Sequence, residues 1–364
     1  MAQITTGGNY TDIKDIHDPA AHGKIRPFVN LLAALSPLVS TAYWTEANDG
    51  DKHQTEMVVD MPEPMYRRLY QGVPPTKETT QIVTDTAAIL ADHWSTDVQA
   101  LLRLKDRDAQ SYKRFTRGQA HIQGMATTLE SGFFYGNTAG APEQFKGLAP
   151  RFNAIGSDPW GKQIIDAGGT GSDNTSIWFV TMGDRQCGAF YPSGIPNGIK
   201  HYTDGTLENP KLVDDASGNR YPAAQDFLEL NVGMYVADPR YVVRVANIDV
   251  NALRAGTVDI YKYLVQAYHR HFGINNDMLK RMSGLPGITN DDMEQLTALV
   301  GKTYIYCNRE VSMAVDLASI NKGAGDNFRR IGTQKEMEGG LVDFFRSHEF
   351  CVSDALLSTE ARVV

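Results

Sequence analysis

The residues whose types could carry chemistry fall into a few short groups, and spacing decides each of them. Gly301-Lys302-Thr303 ends like a phosphate-binding loop, but the position five residues ahead of Gly301, which such a loop fills with glycine, is Leu296. The triplet also precedes a strand pattern instead of opening a helix. His348-Glu349 begins a zinc-protease signature whose second histidine would fall at Val352. His269 and His271 resemble a chelating pair, yet side chains two apart on a helix point about 200° away from each other. Gly168-Gly169-Thr170-Gly171 has the composition of an anion cradle and equally that of a flexible surface loop, which is the plainer reading. Asn48-Asp49-Gly50 has a calcium-loop flavour, but Thr45 and Ala47 stand where carboxylates are needed, so a hairpin turn explains it better. No Gly-x-Ser-x-Gly elbow occurs. Cys187, Cys307 and Cys351 are far apart and odd in number, which gives neither a metal-ligand pair nor a disulfide framework and favours a reducing compartment. The expectation is a protein without a catalytic site, a metal or a cofactor.

The chain has 364 residues, 42% hydrophobic and 21% charged, enough for a substantial core and too apolar for a disordered chain. Its net charge of −8 argues against a surface built throughout to grip phosphates. The polar start, and a longest apolar stretch (Phe28 to Val39) interrupted by Asn30, Ser36 and Pro37, predict neither a signal peptide nor a membrane span.

Up to about residue 40 the chain reads as a loose arm with one amphipathic helix, Pro27 to Leu35, closed off by Pro37. Strand and turn signals follow. Thr55 to Asp60 and Thr80 to Asp85 can pair as a long hairpin that has too few apolar residues for a core of its own and must dock on something. Tyr66, Arg67, Arg68, Leu69 and Tyr70 form a basic and aromatic stretch between the two strands. Trp44 and Trp94 flank the hairpin, as interface anchors or as packing at its root.

The period then changes to that of a helix. Phe115, Ile122, Met125, Ala126, Leu129 and Phe133 recur at helical offsets and predict one long helix over Asp106 to Tyr135, in spite of Gly118 and Gly124. The cations Arg103, Lys105, Arg107, Lys113, Arg114 and Arg117 crowd its start, as a solvated face or as a contact. A polar, Gly-rich linker covers Thr138 to Asn174. Strands are predicted at Thr175 to Met182, Gln186 to Tyr191, Phe227 to Val236 and Tyr241 to Ile248, and again at Thr303 to Tyr306, with further strand signals at Leu341 to Phe345 and Phe350 to Leu357. Helices are predicted at Val258 to Phe272, Asp291 to Val300 and Arg309 to Ile320, the last capped by Asn308. Strands and helices mix without strict alternation, an α+β pattern.

This order of parts resembles the major capsid protein of tailed double-stranded DNA bacteriophages, whose fold encapsulin shells share. Local texts carry the likeness: Pro37 to Asp49, then Met61-Pro-Glu-Pro-Met-Tyr-Arg-Arg68 and Gln71-Gly-Val73, are similar to the arm and extended loop of one group of these proteins. Phe134-Tyr-Gly-Asn137 with Pro142 to Phe152 is similar to the passage after that group's spine helix. Tyr304 to Asn308 and the tail Ser353 to Ala361 fit as well. The chain departs from the pattern in its second proline, Pro64, and in Tyr70, where a small polar residue is expected.

The resemblance implies an N-terminal arm (1–40), an extended β-hairpin loop (41–90), a peripheral domain with the spine helix (91–174), an axial α+β domain (175–340) and C-terminal strands that return to the peripheral domain (341–364). It implies a shell subunit that forms pentamers and hexamers, encloses double-stranded DNA held weakly, and meets portal, scaffolding and decoration proteins but no membrane. Such a protein works in the virion and is assembled in the bacterial cytoplasm. The Tyr66 to Tyr70 patch would then meet a neighbouring subunit. A cargo shell of the encapsulin kind, and a soluble enzyme with an unread site, are the alternatives.

Overall fold

The computed structural model describes residues 36–60, 62–102, 107–195, 198–205, 209–214, 218–272, 301–321 and 348–364, with short pieces at 336–337, 340–341 and 344–346. The expected helices at Pro27 to Leu35 and Asp291 to Val300 lie outside these residues. Pro37 opens α1 (Pro37–Thr41), where its fixed φ suits the first turn and the Ser36 hydroxyl accepts from the Val39 N–H. After β1 (Trp44–Glu46) the chain turns at Gly50, whose φ of 65° favours glycine. It then runs out along β2 (Lys52–Asp60) and back along β3 (Thr79–Thr86). β4 (Ala88–Asp97) and the short α2 (Val98–Leu102) lead to α3 (Arg107–Tyr135), whose 29 residues span about 44 Å.

The remaining strands are β5 (Ile164–Asp166), β6 (Asn174–Met182), β7 (Cys187–Tyr191), β8 (Ile199–Asp204), β9 (Lys211–Asp214), β10 (Arg220–Val236) and β11 (Val242–Asp249). Two helices follow, α4 (Val250–Arg254) and α5 (Ile260–Arg270), then β12 (Lys302–Cys307) and α6 (Arg309–Asn321). Short strands β13 (Glu336–Met337) and β14 (Gly340–Leu341) pair with each other, while β15 (Phe344–Phe345) and β16 (His348–Val352) join the main sheet. The Asn308 side chain caps α6 by accepting from the Val311 N–H at 2.9 Å and also donates to Thr175 on β6. One cap thus fixes the helix and ties it to the sheet.

Twelve strands form that sheet, running β15-β16-β12-β6-β7-β10-β4, with β11 on the other edge of β6. β6 is buried along its whole length because both faces are covered. Alternation divides its side chains between two cores. Trp178 and Val180, with Tyr306 of β12 and Val242 of β11, face Phe134, Leu148 and Phe152. Ile177 and Phe179, with Ile305 and Val245, face Leu253, Ile260, Leu264 and Val311 on the helical side. β10 passes out of this region, and its first part pairs with β4, β8 and β9 in a smaller extension whose inner face packs on α3.

The segment Thr138 to Asn174, expected to be a linker, is instead part of the core. Phe145, Leu148 and Phe152 are buried, and Gly147 N donates to Gly136 O while Leu148 N donates to Phe133 O. A Cβ at Gly147 would sit 2.6 Å from Gly132 O, so the glycines here let two backbones touch. The tail is also anchored. Glu360, buried, accepts from Arg244 at 2.8 Å and from the hydroxyls of Tyr135 and Ser176, joining α3, β6 and β11 at one carboxylate.

Candidate assembly surface

The hairpin is built from β2 and β3 in antiparallel register, from Lys52 opposite Thr86 to Val58 opposite Thr80. Directly opposed side chains share a face, so His53 and Asp85 both point at the body of the protein. The His53 ring lies 5.3 Å from Phe190 and 4.5 Å from Tyr235. Burial pulls its pKa below the ordinary imidazole value, against the nearby charges of Asp85 and Asp184. Asp85 accepts from Arg151 Nη2 at 2.6 Å, and the same nitrogen donates to the carbonyls of Lys146 and Met234. Burial, and then the Arg151 charge, hold the Lys146 ammonium below its usual range. Met57 of β2 is buried as well. The hairpin root is therefore fastened by one ion pair, one stacked imidazole and one thioether.

Beyond the root the hairpin leaves the body. Every residue from Pro62 to Glu78 is exposed, and Tyr66, Leu69 and Tyr70 project large apolar surfaces at 102%, 88% and 103% exposure. A turn closes the tip, with Gln71 N donating to Arg68 O and the Gln71 side chain returning to Arg68 N. Tyr70 sits in this turn at φ 65°, a conformation that glycine or asparagine adopts cheaply and tyrosine does not. That is the physical content of the small polar residue expected at this position. Arg67 and Arg68 are exposed beside the two tyrosines.

Trp44 and Trp94, considered as interface anchors, are instead inside the subunit. Trp44 packs edge-on against Phe133 and donates from Nε1 to Val39 O; Trp94 stacks on His121 at 4.9 Å. Both are almost wholly enclosed, so neither offers area to a neighbour, and they hold the hairpin's flanks to α3. The predicted packing stripe of α3 faces the sheet through Ile122, Met125, Leu129 and Phe133, all buried. Phe115 lies in the first part of α3, where only the backbone course is described. A Cβ at Gly118 would meet the Trp94 ring at 3.3 Å, whereas nothing lies near Gly124. Gly118 is thus a seat for tryptophan.

The other chemistry-bearing residues do not converge. His271 Nε2 lies between Thr181 Oγ1 and Tyr241 O, while His269 Nε2 faces Arg346. Glu349 pairs with Lys302 at 2.8 Å. Gly169 N donates to Asn247 O, so this glycine loop is a packed turn and not the flexible one expected. Among the described residues no group of three His, Cys, Asp or Glu side chains is placed to hold a metal ion. No helix among them is long and apolar enough to cross a membrane. Arg103 and Lys105 lie outside the described residues. His53 and the Asp85–Arg151 pair went unnoticed in the sequence because 66 residues separate the two charges and no motif links them.

Residues 20–364 match the family described as Major capsid protein GP7. In three dimensions the chain is similar to one from the structure of bacteriophage epsilon15, with 29% identity, 88% of each chain covered and a TM-score of 0.59. It is also similar to a chain of the bacteriophage JBD30 capsid, with 8% identity, 88% of this chain and 90% of that one covered, and a TM-score of 0.47. A further similarity is to the SrpI encapsulin of Synechococcus elongatus, with 11% identity, coverage of 64% and 96%, and a TM-score of 0.37. No curated protein matches. With its α+β fold and with the family matched across nearly its whole length, the chain belongs to the major capsid proteins of the GP7 family, structural subunits of the icosahedral phage shell.

Proposed function

We propose that this capsid protein assembles as pentamers and hexamers by laying the tip of each hairpin across a neighbouring copy, and that the closed shell holds packaged double-stranded DNA. The observation that carries the exchange is the tip itself: Tyr66, Leu69 and Tyr70 stand fully in solvent on an arm with no core of its own. Exposed apolar groups so concentrated mark a contact surface, and stable interfaces of this kind bury about 1,200–2,000 Å². Arg67 and Arg68 add a positive charge that an acidic or apolar strip on the next copy would receive. In this reading residues 41–90 are the extended loop, 91–174 with the tail 341–364 the peripheral domain, and 175–340 the axial domain, with the arm at 1–40.

The net charge of −8 supports a container that touches its DNA weakly, since a densely cationic wall would adhere in a salt-dependent way. Portal, scaffolding and decoration proteins are the further partners this reading assigns, with assembly in the bacterial cytoplasm and the mature protein in the virion. The test is the double variant Arg67→Glu with Arg68→Glu, expressed beside the unaltered chain with and without a candidate scaffold and examined by electron microscopy. Shells from the unaltered chain and a sharp loss of them from the variant are expected. Equal yields would remove the tip from the account.

A further inference from the structure

The hairpin root holds two polar atoms that its ion pair and stacked rings leave unmatched. His53 Nδ1 is enclosed without a hydrogen-bond partner among the described residues, and so is Asp85 Oδ2, on the residue directly opposite across the β2–β3 ladder. Apolar rings grip the imidazole instead: it stacks on Phe190 at an interplanar angle of 30° and tilts against Tyr235 at 37°. Such a slot suits a neutral ring, because an imidazolium enclosed there loses the water that solvates its charge.

The charges around the slot do not reverse this. From β3, Asp85 attracts a proton on His53, but its carboxylate is already engaged by Arg151, and the Lys146 ammonium lies near both. From the turn between β6 and β7, Asp184 attracts the proton as well, but it is exposed, where water and salt screen its charge. From β10 and from the residue before β1, the phenols of Tyr235 and Tyr43 are kept neutral by burial. Burial outweighs the two carboxylates, so the ring takes a proton less readily in the slot than in water.

We propose that His53 is an acid-sensitive catch: on taking up a proton its ring leaves the slot and frees the root of the hairpin, while the two cores of the body stay closed. The hairpin has no core of its own and its tip stands in solvent, so its seat opens more easily than either core. Two strands without other support are marginal in water, so a freed hairpin also loses its ladder. Acid therefore loosens the direction in which the tip points. Only this consequence for assembly rests on the reading of the tip as a contact between copies; the release itself is a property of one chain.

The test is hydrogen–deuterium exchange of the full, unassembled chain across the range from about pH 7.5 to about pH 5, where histidine changes charge. Protection of β2 and β3, corrected for the intrinsic pH dependence of exchange, is expected to fall by up to about tenfold per pH unit below 6.5, while β6 keeps its protection. His53→Phe, which keeps a ring in the slot, should abolish the fall. Hairpin protection that stays level, that falls together with β6, or that falls equally in His53→Phe would overturn the catch. A second measurement does not need that variant to seat: the His53 ring, followed by NMR in histidine-labelled protein and assigned by its absence from His53→Phe, should titrate below 6.5. A midpoint above that value would mean that a proton fastens the root through Asp85, and would overturn the catch too. A freed hairpin with undiminished shell yield at the same pH would instead strike the reading of the tip as an assembly contact.

Discussion

Asp85 of the hairpin and Arg151 of the body form an ion pair at 2.6 Å whose side chains are only 4% and 2% exposed. The pair is the ionic fastening at the root of an arm whose tip, from Pro62 to Glu78, is in solvent. A buried pair adds little over apolar packing of the same volume, whereas removing one partner leaves an uncompensated charge. Asp85→Ala is therefore expected to lower stability by roughly 3–5 kcal/mol. Asp85→Leu combined with Arg151→Met should recover most of that loss in thermal unfolding. A double variant as unstable as the single one would contradict this assignment.

Tyr70 gives a prediction in which stability and assembly move apart. Its left-handed backbone costs about 1–2 kcal/mol in the tip turn. Tyr70→Gly should relieve that cost, leave global unfolding unchanged or slightly improved, and reduce shell yield because the exposed ring is lost. Improved assembly would show that the ring has no role between copies.

Two glycines of α3 separate packing from propensity. At Gly124 nothing lies within 4 Å of an added Cβ, so Gly124→Ala should stabilise by up to about 1 kcal/mol. At Gly118 the Trp94 ring is already in the way, and Gly118→Leu should cost about 1–3 kcal/mol through overpacking. Chemical denaturation of the two variants reads both signs. Equal effects would mean that Trp94 does not seat there.

Acid sensitivity follows from His271 and His348, whose rings lie 6.3 Å apart between α5 and β16. Burial takes both down to about 4, and for His271 the His348 ring adds to the fall. A histidine depressed in the folded state binds its proton more readily when unfolded, near pH 6.5. Its contribution is thus fully present above that pH and is lost as pH falls towards 4. Stability should decline over this window by on the order of 3 kcal/mol for each ring, less for the pair if they titrate together. His348→Phe should flatten the profile. A slope unchanged in that variant would assign the acid sensitivity to other groups.

Much of this architecture was visible in the sequence because local periodicity carried it. The stripe from Ile122 to Phe133 marked α3 to within a residue, and Asn308 marked the start of α6 through its cap. What escaped depends on contacts distant in sequence. β4 has only Ile89 and Thr96 as β-branched residues among its ten, and its ten-residue pairing with β10 makes it a strand. β10 begins at Arg220 and not at the expected Phe227, because Pro222 reads as a breaker until β9 is found beside it. Gly147, read as part of a polar linker, instead serves close packing against Gly132 and Gly136. At the proposed assembly surface, the composition of Tyr66 to Tyr70 marked the exposed tip, but hydrophobicity alone could not tell the enclosed Trp44 and Trp94 from residues available to a partner.

The most direct measurement replaces the tip, residues 64–75, with a short Gly-Ser turn and follows folding by thermal unfolding and assembly by light scattering with negative-stain electron microscopy. The account predicts a tipless protein that unfolds at the temperature of the unaltered chain and yields no closed shells, beside abundant shells from the unaltered chain. Closed shells of normal yield from the tipless protein would contradict it.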